Sequence, residues 1–426
     1  MVRKSKQKNS TLIDAEPDRI SCLPGHVTDQ ILSFLPIEEA VRTSVLSSKW
    51  RNKWYTIPNL VFDPNYVSED PSIVDHVLLL HSGPINKFEI SDLNHIPVNS
   101  SVATDIDRWI LHLIRRSIKE LVLDLVLMDE VRYKIPWCLF SCQSLNRLEL
   151  YSCWLKPPTT FEGLRNLTSL DLDHVTINQD HLEKLISGCP LLENLMLTDI
   201  DNITQLNVHA PKLKEFDILG NFEDINFDNT FQLVTVFVSL RLYLDSENNR
   251  SRLRGCSSNL LKFFNHRPHI KSLVIQNYFL KYLAAGVVPV ELPTPCICLG
   301  DLSLCINFED LKEISAALCL LRSSHNLQKL EISARIEEDT DLLTPTCYSW
   351  EDIFSRPAMP IQVRHVTIGG ISGTTSELDF IKFLLLYSPV LENMIVKPDK
   401  DVTPDLTRAL IRFKRASAEA EVIWEE

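Results

Sequence analysis

A six-residue pattern, apolar-x-x-apolar-x-apolar, returns twelve times along this chain and restricts it to very few folds. It reads Ile85/Phe88/Ile90, Ile118/Leu121/Leu123, Leu145/Leu148/Leu150, Leu167/Leu170/Leu172, Leu192/Leu195/Leu197 and Leu213/Phe216/Ile218. It continues at Phe237/Leu240/Leu242, Ile270/Leu273/Ile275, Leu299/Leu302/Leu304, Leu327/Leu330/Ile332, Val363/Val366/Ile368 and Leu391/Met394/Val396. A single match carries little weight, because apolar triplets are common; twelve in series carry a great deal. The last two apolar positions stand two apart, so on an extended strand they share one face and the residue between them faces the other way. Successive middle residues lie 21 to 36 positions apart, which leaves room for a turn and an outer segment in every unit. Helical periodicity precedes several strands, at Ala103–Arg116, His181–Ser187, Leu260–Asn265, Asp310–Arg322 and Glu377–Tyr387. Helix, loop, strand and turn, repeated, predict an α/β solenoid of stacked parallel strands.

The central spacing resembles that of leucine-rich repeats. On such a solenoid the residue between the two inward ones faces the concave surface. Those positions are Glu149, Asp171, Met196, Asp217, Ser303 and Glu331, and most are acidic. They are the candidate substrate face, suited to a basic or hydrogen-bond-donating partner. The alternative is solvated charge that keeps an exposed sheet from aggregating.

Residues 18–54 have a different grammar, with three short helices expected in about forty residues. Thr28 reads as an N-cap ahead of Ile31, Leu32, Phe34 and Leu35, and Pro36 ends that helix. Ile37, Ala40, Val41, Ser44 and Val45 recur at helical spacing behind Glu38 and Glu39. Ser47 or Ser48 then caps a third helix that carries Trp50 and Trp54 on one face. So small a unit cannot bury all of this apolar surface by itself, so something else must cover the surplus.

The stretch DRISCLPGHVTDQILSFLPIEEAVRTSVLSSKWRNKW resembles an F-box, in the plant form that opens on Leu-Pro. The resemblance implies binding to the Skp-type adaptor of a cullin-based SCF ubiquitin ligase. It places Leu23 and Pro24 in the adaptor's pocket and assigns Ile31, Leu32, Leu35, Pro36, Val41, Val45 and Trp50 to the apolar interface. The stretch VRHVTIGGISGTTSELDFIKFLLLYSPVLENMIVKP resembles the C-terminal FBD region of plant F-box/leucine-rich-repeat proteins. A helix over Thr403–Ala416 and a strand ending at Trp424 are expected after it, closing the solenoid's open end. The expected organisation is a basic tail over 1–16, an F-box over 17–64, a repeat solenoid over 65–345 and an FBD cap over 346–426. Arg3, Lys4, Lys6 and Lys8 make up the basic tail.

The function implied is that of a substrate-recognition subunit, which holds a target protein near the ligase without catalytic residues of its own. Two other readings stay open. One is a repeat scaffold that no longer recruits a ligase. The other is a small-molecule receptor that uses the solenoid as a composite pocket, with Val287–Pro295 as a lining loop.

Composition agrees with an interaction protein. The formal net charge of −13 argues against nucleic acid as the partner. Eleven cysteines, with no Cys-x-x-Cys pair, form neither a disulfide framework nor a zinc site; Cys138/Cys142 and Cys296/Cys298 lack the spacing. That usage suits the reducing nucleus or cytoplasm. No signal peptide or membrane span is visible. Gly369-Gly370 and Gly373 resemble a phosphate loop but lack the following Lys-Ser/Thr, so a repeat turn is expected there. His266 and His269 have no further ligand at metal spacing, and Glu337-Glu338-Asp339 with Asp341 read as a charged loop. No catalytic residue, metal or cofactor is expected.

Overall fold

The computed structural model describes residues 22–91, 100–124, 132–242, 258–265, 269–336, 360–399, 410 and 412–425. Among the described residues, fourteen strands form one continuous sheet in strict chain order, and every neighbouring pair is parallel. The strands run from Asn59–Phe62 at one edge to Glu421–Trp424 at the other. Two small parallel pairs flank the sheet: Tyr133–Lys134 with Cys153–Trp154, and Gln205–His209 with Asp224–Asp228. The fold is the α/β solenoid that the repeat pattern requires.

Eleven of the twelve triplets sit in register. Leu121, Leu148, Leu170, Leu195 and Phe216 pair across successive strands, and all are buried. The seventh is a correction: Leu233, Val236 and Val238 fill the inward positions, four residues ahead of Phe237/Leu240/Leu242. Val236 pairs with both Phe216 and Leu273, whereas Leu242 lies past the strand's end and is exposed. An offset of four keeps the same side of the pleat, so both frames satisfy the pattern and cross-strand pairing decides between them. One unit precedes the twelve. Ile57, Leu60 and Phe62 repeat the motif, are buried, and begin the sheet at Asn59, ahead of position 65.

Helices on the outer side start where their caps dictate. Asn178 accepts the His181 amide ahead of Gln179–Ser187, and Ser258 accepts the Leu261 amide ahead of Asn259–Phe264. Asp310 accepts the Lys312 amide ahead of Leu311–Ser323. Thr374 and Glu377 close a reciprocal capping box at Thr375–Tyr387. The strand ending at Trp424 is present. The helix expected over Thr403–Ala416 falls largely outside the described residues, as does the basic tail.

At the front, the first helix is Gly25–Leu32 and Pro24 is its N-cap, four residues ahead of the expected cap at Thr28. Thr28 is instead buried inside the first turn, where its hydroxyl donates to the Pro24 carbonyl at 3.1 Å. Pro36 opens the second helix, Ile37–Arg42. In place of a third α-helix there are turns and two 3₁₀ segments, Thr43–Val45 and Lys53–Thr56. Leu32, Ile37, Trp50 and Trp54 belong to the same apolar core as Leu60 and Phe88, so the front module packs directly on the first strands. The Glu38 carboxylate also accepts the Asp63 amide at 3.2 Å, tying the second helix to the end of the first strand.

Candidate partner-binding surfaces

The front module leaves apolar side chains in solvent after it has packed against the sheet. Ile31 is 39% exposed, Phe34 79%, Val45 88% and Leu46 55%. Of the nine residues expected to meet an adaptor, Pro24, Ile31 and Val45 are exposed. Leu23, Leu35, Pro36 and Val41 are half-buried, with Leu23, Leu35 and Val41 packed partly against the core. Leu32 and Trp50 are a correction: both are buried, so they support this surface from beneath and present nothing to a partner. Phe34 and Leu46 are outward residues that the residue-by-residue assignment left out, although both lie in the apolar runs of the motif.

The six candidate substrate-face positions fall in one row. Glu149, Asp171, Met196 and Asp217 are direct neighbours across four strands, and Ser303 pairs with Glu331. Between these groups the row passes through Phe237 and Val274, and it extends beyond them to Glu89 and Val122 on one side and Thr367, Ile395 and Ile423 on the other. The face therefore alternates acidic and apolar stretches and is not uniformly acidic. Glu149 is almost covered and ion-paired with Arg147. Asp171 accepts the Tyr151 hydroxyl at 3.2 Å, while its Oδ1 is buried with no hydrogen-bond partner among the described residues. Burial pushes its carboxyl up to about 6, and burial raises Asp217 as well. Met196 and Glu331 are open to solvent, and Ser303 accepts from Gln276.

The glycine-rich turn is occupied from within. The Glu377 carboxylate accepts the backbone amides of Ser372, Gly373 and Thr374, the last two at 2.7 and 2.8 Å. Gly370 and Gly373 adopt φ of 71° and 90°, which brings those amides together. An anion site of this kind, already filled by a buried side chain, is a repeat turn. Among the described residues no group of three or more His, Cys, Asp or Glu side chains could hold a metal ion. No helix there is long and apolar enough to cross a membrane. His266 and the 337–341 acidic run lie outside the described residues. Val287–Pro295 is a loop with Val287 and Val290 exposed, anchored where the Leu292 amide donates to Ser323 at 2.8 Å.

Comparison with known proteins follows the same division. The F-box domain family matches residues 20–61, and the family described as FBD-associated F-box protein At5g56370, LRR repeats, matches residues 106–332. An F-box/FBD/LRR-repeat protein of Arabidopsis thaliana, At1g13570, is 39% identical over 422 residues, covering 96% of this chain and 98% of its own. The chain belongs to the F-box/FBD/LRR-repeat family. A second F-box/LRR-repeat relative from the same plant, At4g14096, is 28% identical across 93% of this chain and 92% of its own. Among solved structures, an internalin (inlF) from Listeria monocytogenes covers 78% of this F-box/FBD/LRR-repeat chain, at 13% identity and a TM-score of 0.27.

Proposed function

We propose that this chain is the substrate-recognition subunit of an SCF-type (Skp-cullin-F-box) ubiquitin ligase. It docks a Skp-type adaptor through the front module and a target protein through the repeats, and so promotes ubiquitination by proximity with no catalytic residue of its own. The reading rests on one coincidence. The F-box match over residues 20–61 is the same segment in which Ile31, Phe34, Val45 and Leu46 remain in solvent. Large apolar side chains held outward on a folded module mark a protein-binding surface. The division into a tail over 1–16, an F-box over 17–64, repeats over 65–345 and an FBD cap over 346–426 belongs to this proposal, as does residence in the nucleus or cytoplasm.

The test is binding of the purified full-length chain to a Skp-type adaptor. Val45→Asp and Ile31→Asp each place a charge in the proposed contact while leaving the core alone. Each is expected to weaken binding by about thirtyfold or more, as at an interface hot spot. A wild-type chain that fails to bind any Skp-type adaptor would leave the repeat scaffold as the better description.

The mixed row supports a target segment that presents Lys or Arg toward Asp171 and Asp217 and apolar side chains toward Met196, Phe237 and Val274, with Glu149 already held by Arg147. Asp217→Lys is expected to weaken capture of that target while adaptor binding is unchanged.

A further inference from the structure

We propose that the cavity at the carboxyl ends of the strands Asn194–Thr198, Glu215–Gly220 and Thr235–Leu240 binds a small organic cation with an apolar body, of the aromatic- or alkyl-amine class. The cavity measures about 320 Å³. That is enough for a compact ligand, since sites of this kind begin at roughly 300 Å³. It lies beyond the carboxyl ends of these three neighbouring parallel strands.

The lining selects the chemistry. Ile203, Phe222, Leu240 and Tyr282 are buried and form an apolar floor. Asp199, Asp201 and Glu223 supply three carboxylates, and no Lys or Arg among the described residues lines the cavity. Two of these carboxylates already have partners. Asp199 is paired with Arg241 at 2.7 Å, and Asp201 is held by Arg132 and by the Thr176 hydroxyl at 2.9 Å. Glu223 is different: half-buried, its carboxylate meets no hydrogen-bond or ion-pair partner among the described residues. An anionic ligand would be repelled there, and a purely apolar one would strip water from Glu223 with no return. A ligand carrying an ammonium over an apolar body satisfies both halves of the site.

The walls are fixed without a ligand. The Tyr282 hydroxyl donates to Asp224 at 2.6 Å, and Lys262 clamps that same carboxylate. The Asn221 side chain accepts the Leu242 amide at 3.0 Å, and the Glu223 amide donates to the Thr204 carbonyl at 2.7 Å. Leu242, an apolar residue with no place in the core, stands exposed at the rim. A site this well held loses little on binding.

The experiment uses the full chain and three probes of similar shape: 2-phenylethylamine, 2-phenylethanol and 3-phenylpropionate. Ligand-observed saturation-transfer NMR and titration give the affinity for each. The amine is expected to bind more tightly than the alcohol, and the carboxylate not at all. Glu223→Gln is expected to weaken the amine by about tenfold, the scale of one charge-assisted contact, with the alcohol unchanged. Leu242→Ser is expected to weaken amine and alcohol alike. Equal binding of the three probes would overturn the proposal, as would amine binding indifferent to Glu223→Gln, or no detectable amine binding. Adaptor binding by Glu223→Gln, measured beside these, is expected to match wild type, so the cavity and the adaptor surface succeed or fail separately.

Discussion

Glu313 and Arg335 form an ion pair at 2.6 Å inside the solenoid, with the glutamate side chain wholly out of solvent. The pair joins the helix Leu311–Ser323 to the residue that follows the strand Lys329–Ala334. Glu313 also accepts the Asn307 amide at 3.0 Å, and the Arg335 guanidinium lies 4.3 Å from the centre of the Tyr278 ring, two strands away. Burial pushes the Glu313 carboxyl up to about 7 in spite of the arginine, so each charge depends on the other. Arg335→Leu leaves an uncompensated buried carboxylate and is expected to cost about 3 kcal/mol or more in urea unfolding. Adding Glu313→Leu should recover much of that loss. Equal stability of the single and double variants would show that the charge pairing is not what matters.

Asp171 gives the chain a pH dependence of definite sign. Its carboxyl is raised from an ordinary value near 3.8 to about 6, because burial disfavours the charged form. Between those values the folded state holds a proton that the unfolded state has released. Stability attributable to this group is therefore present in full below about pH 4 and lost as pH rises toward 6. Asp171→Asn should remove its share of that slope, read as urea midpoints from pH 4 to 7. A slope identical to wild type would place the titration elsewhere.

Gly83 marks where the front module is pressed onto the sheet. A β-carbon there would lie 2.8 Å from the Thr56 α-carbon, and the Gly83 amide already donates to the Tyr55 carbonyl at 3.2 Å. Backbone on both sides cannot give way cheaply, so Gly83→Ala is expected to cost about 1–3 kcal/mol. Trp50 and Trp54 lie in the packed region, and their fluorescence should report the change.

The described thiols range from exposed to fully buried, with Cys138 and Cys298 between the extremes. Burial pushes Cys153, Cys296 and Cys319 up to about 12 and Cys189 up to about 11, whereas Cys22 is exposed. Because the thiolate is the reactive form, alkylation near neutral pH should label Cys22 well before the four buried sites, which should react only after denaturation. Peptide mass mapping over time would check the order. Early labelling of Cys319 would mean that its helix opens readily.

The repeat body was legible because each unit writes its inward residues in the same spacing, and eleven matches in one register do not occur by chance. The one slip, Phe237 for Leu233, came where apolar residues crowd together and two frames share a face. The front module was legible as a motif but not as a surface. Leu32 and Val45 are both apolar members of it, and only packing into the shared apolar core buries one while the other stays in water. The cavity was invisible, since Asp199, Glu223, Leu242 and Tyr282 come from separate segments brought together by the stacking of repeats. Caps such as Asn178 and Thr374 are local and could be read; tertiary neighbours such as Arg335 with Tyr278 could not.

The row that runs from Glu149 through Asp171, Met196 and Asp217 places one outward side chain on each strand, about 4.8 Å from the next. Its flanking inward pairs, such as Leu195 and Leu197 around Met196, belong to the core and not to the row. On the proposed target face, recognition can thus be rewritten letter by letter, each strand changing its outward residue while the interior that holds the scaffold together stays the same.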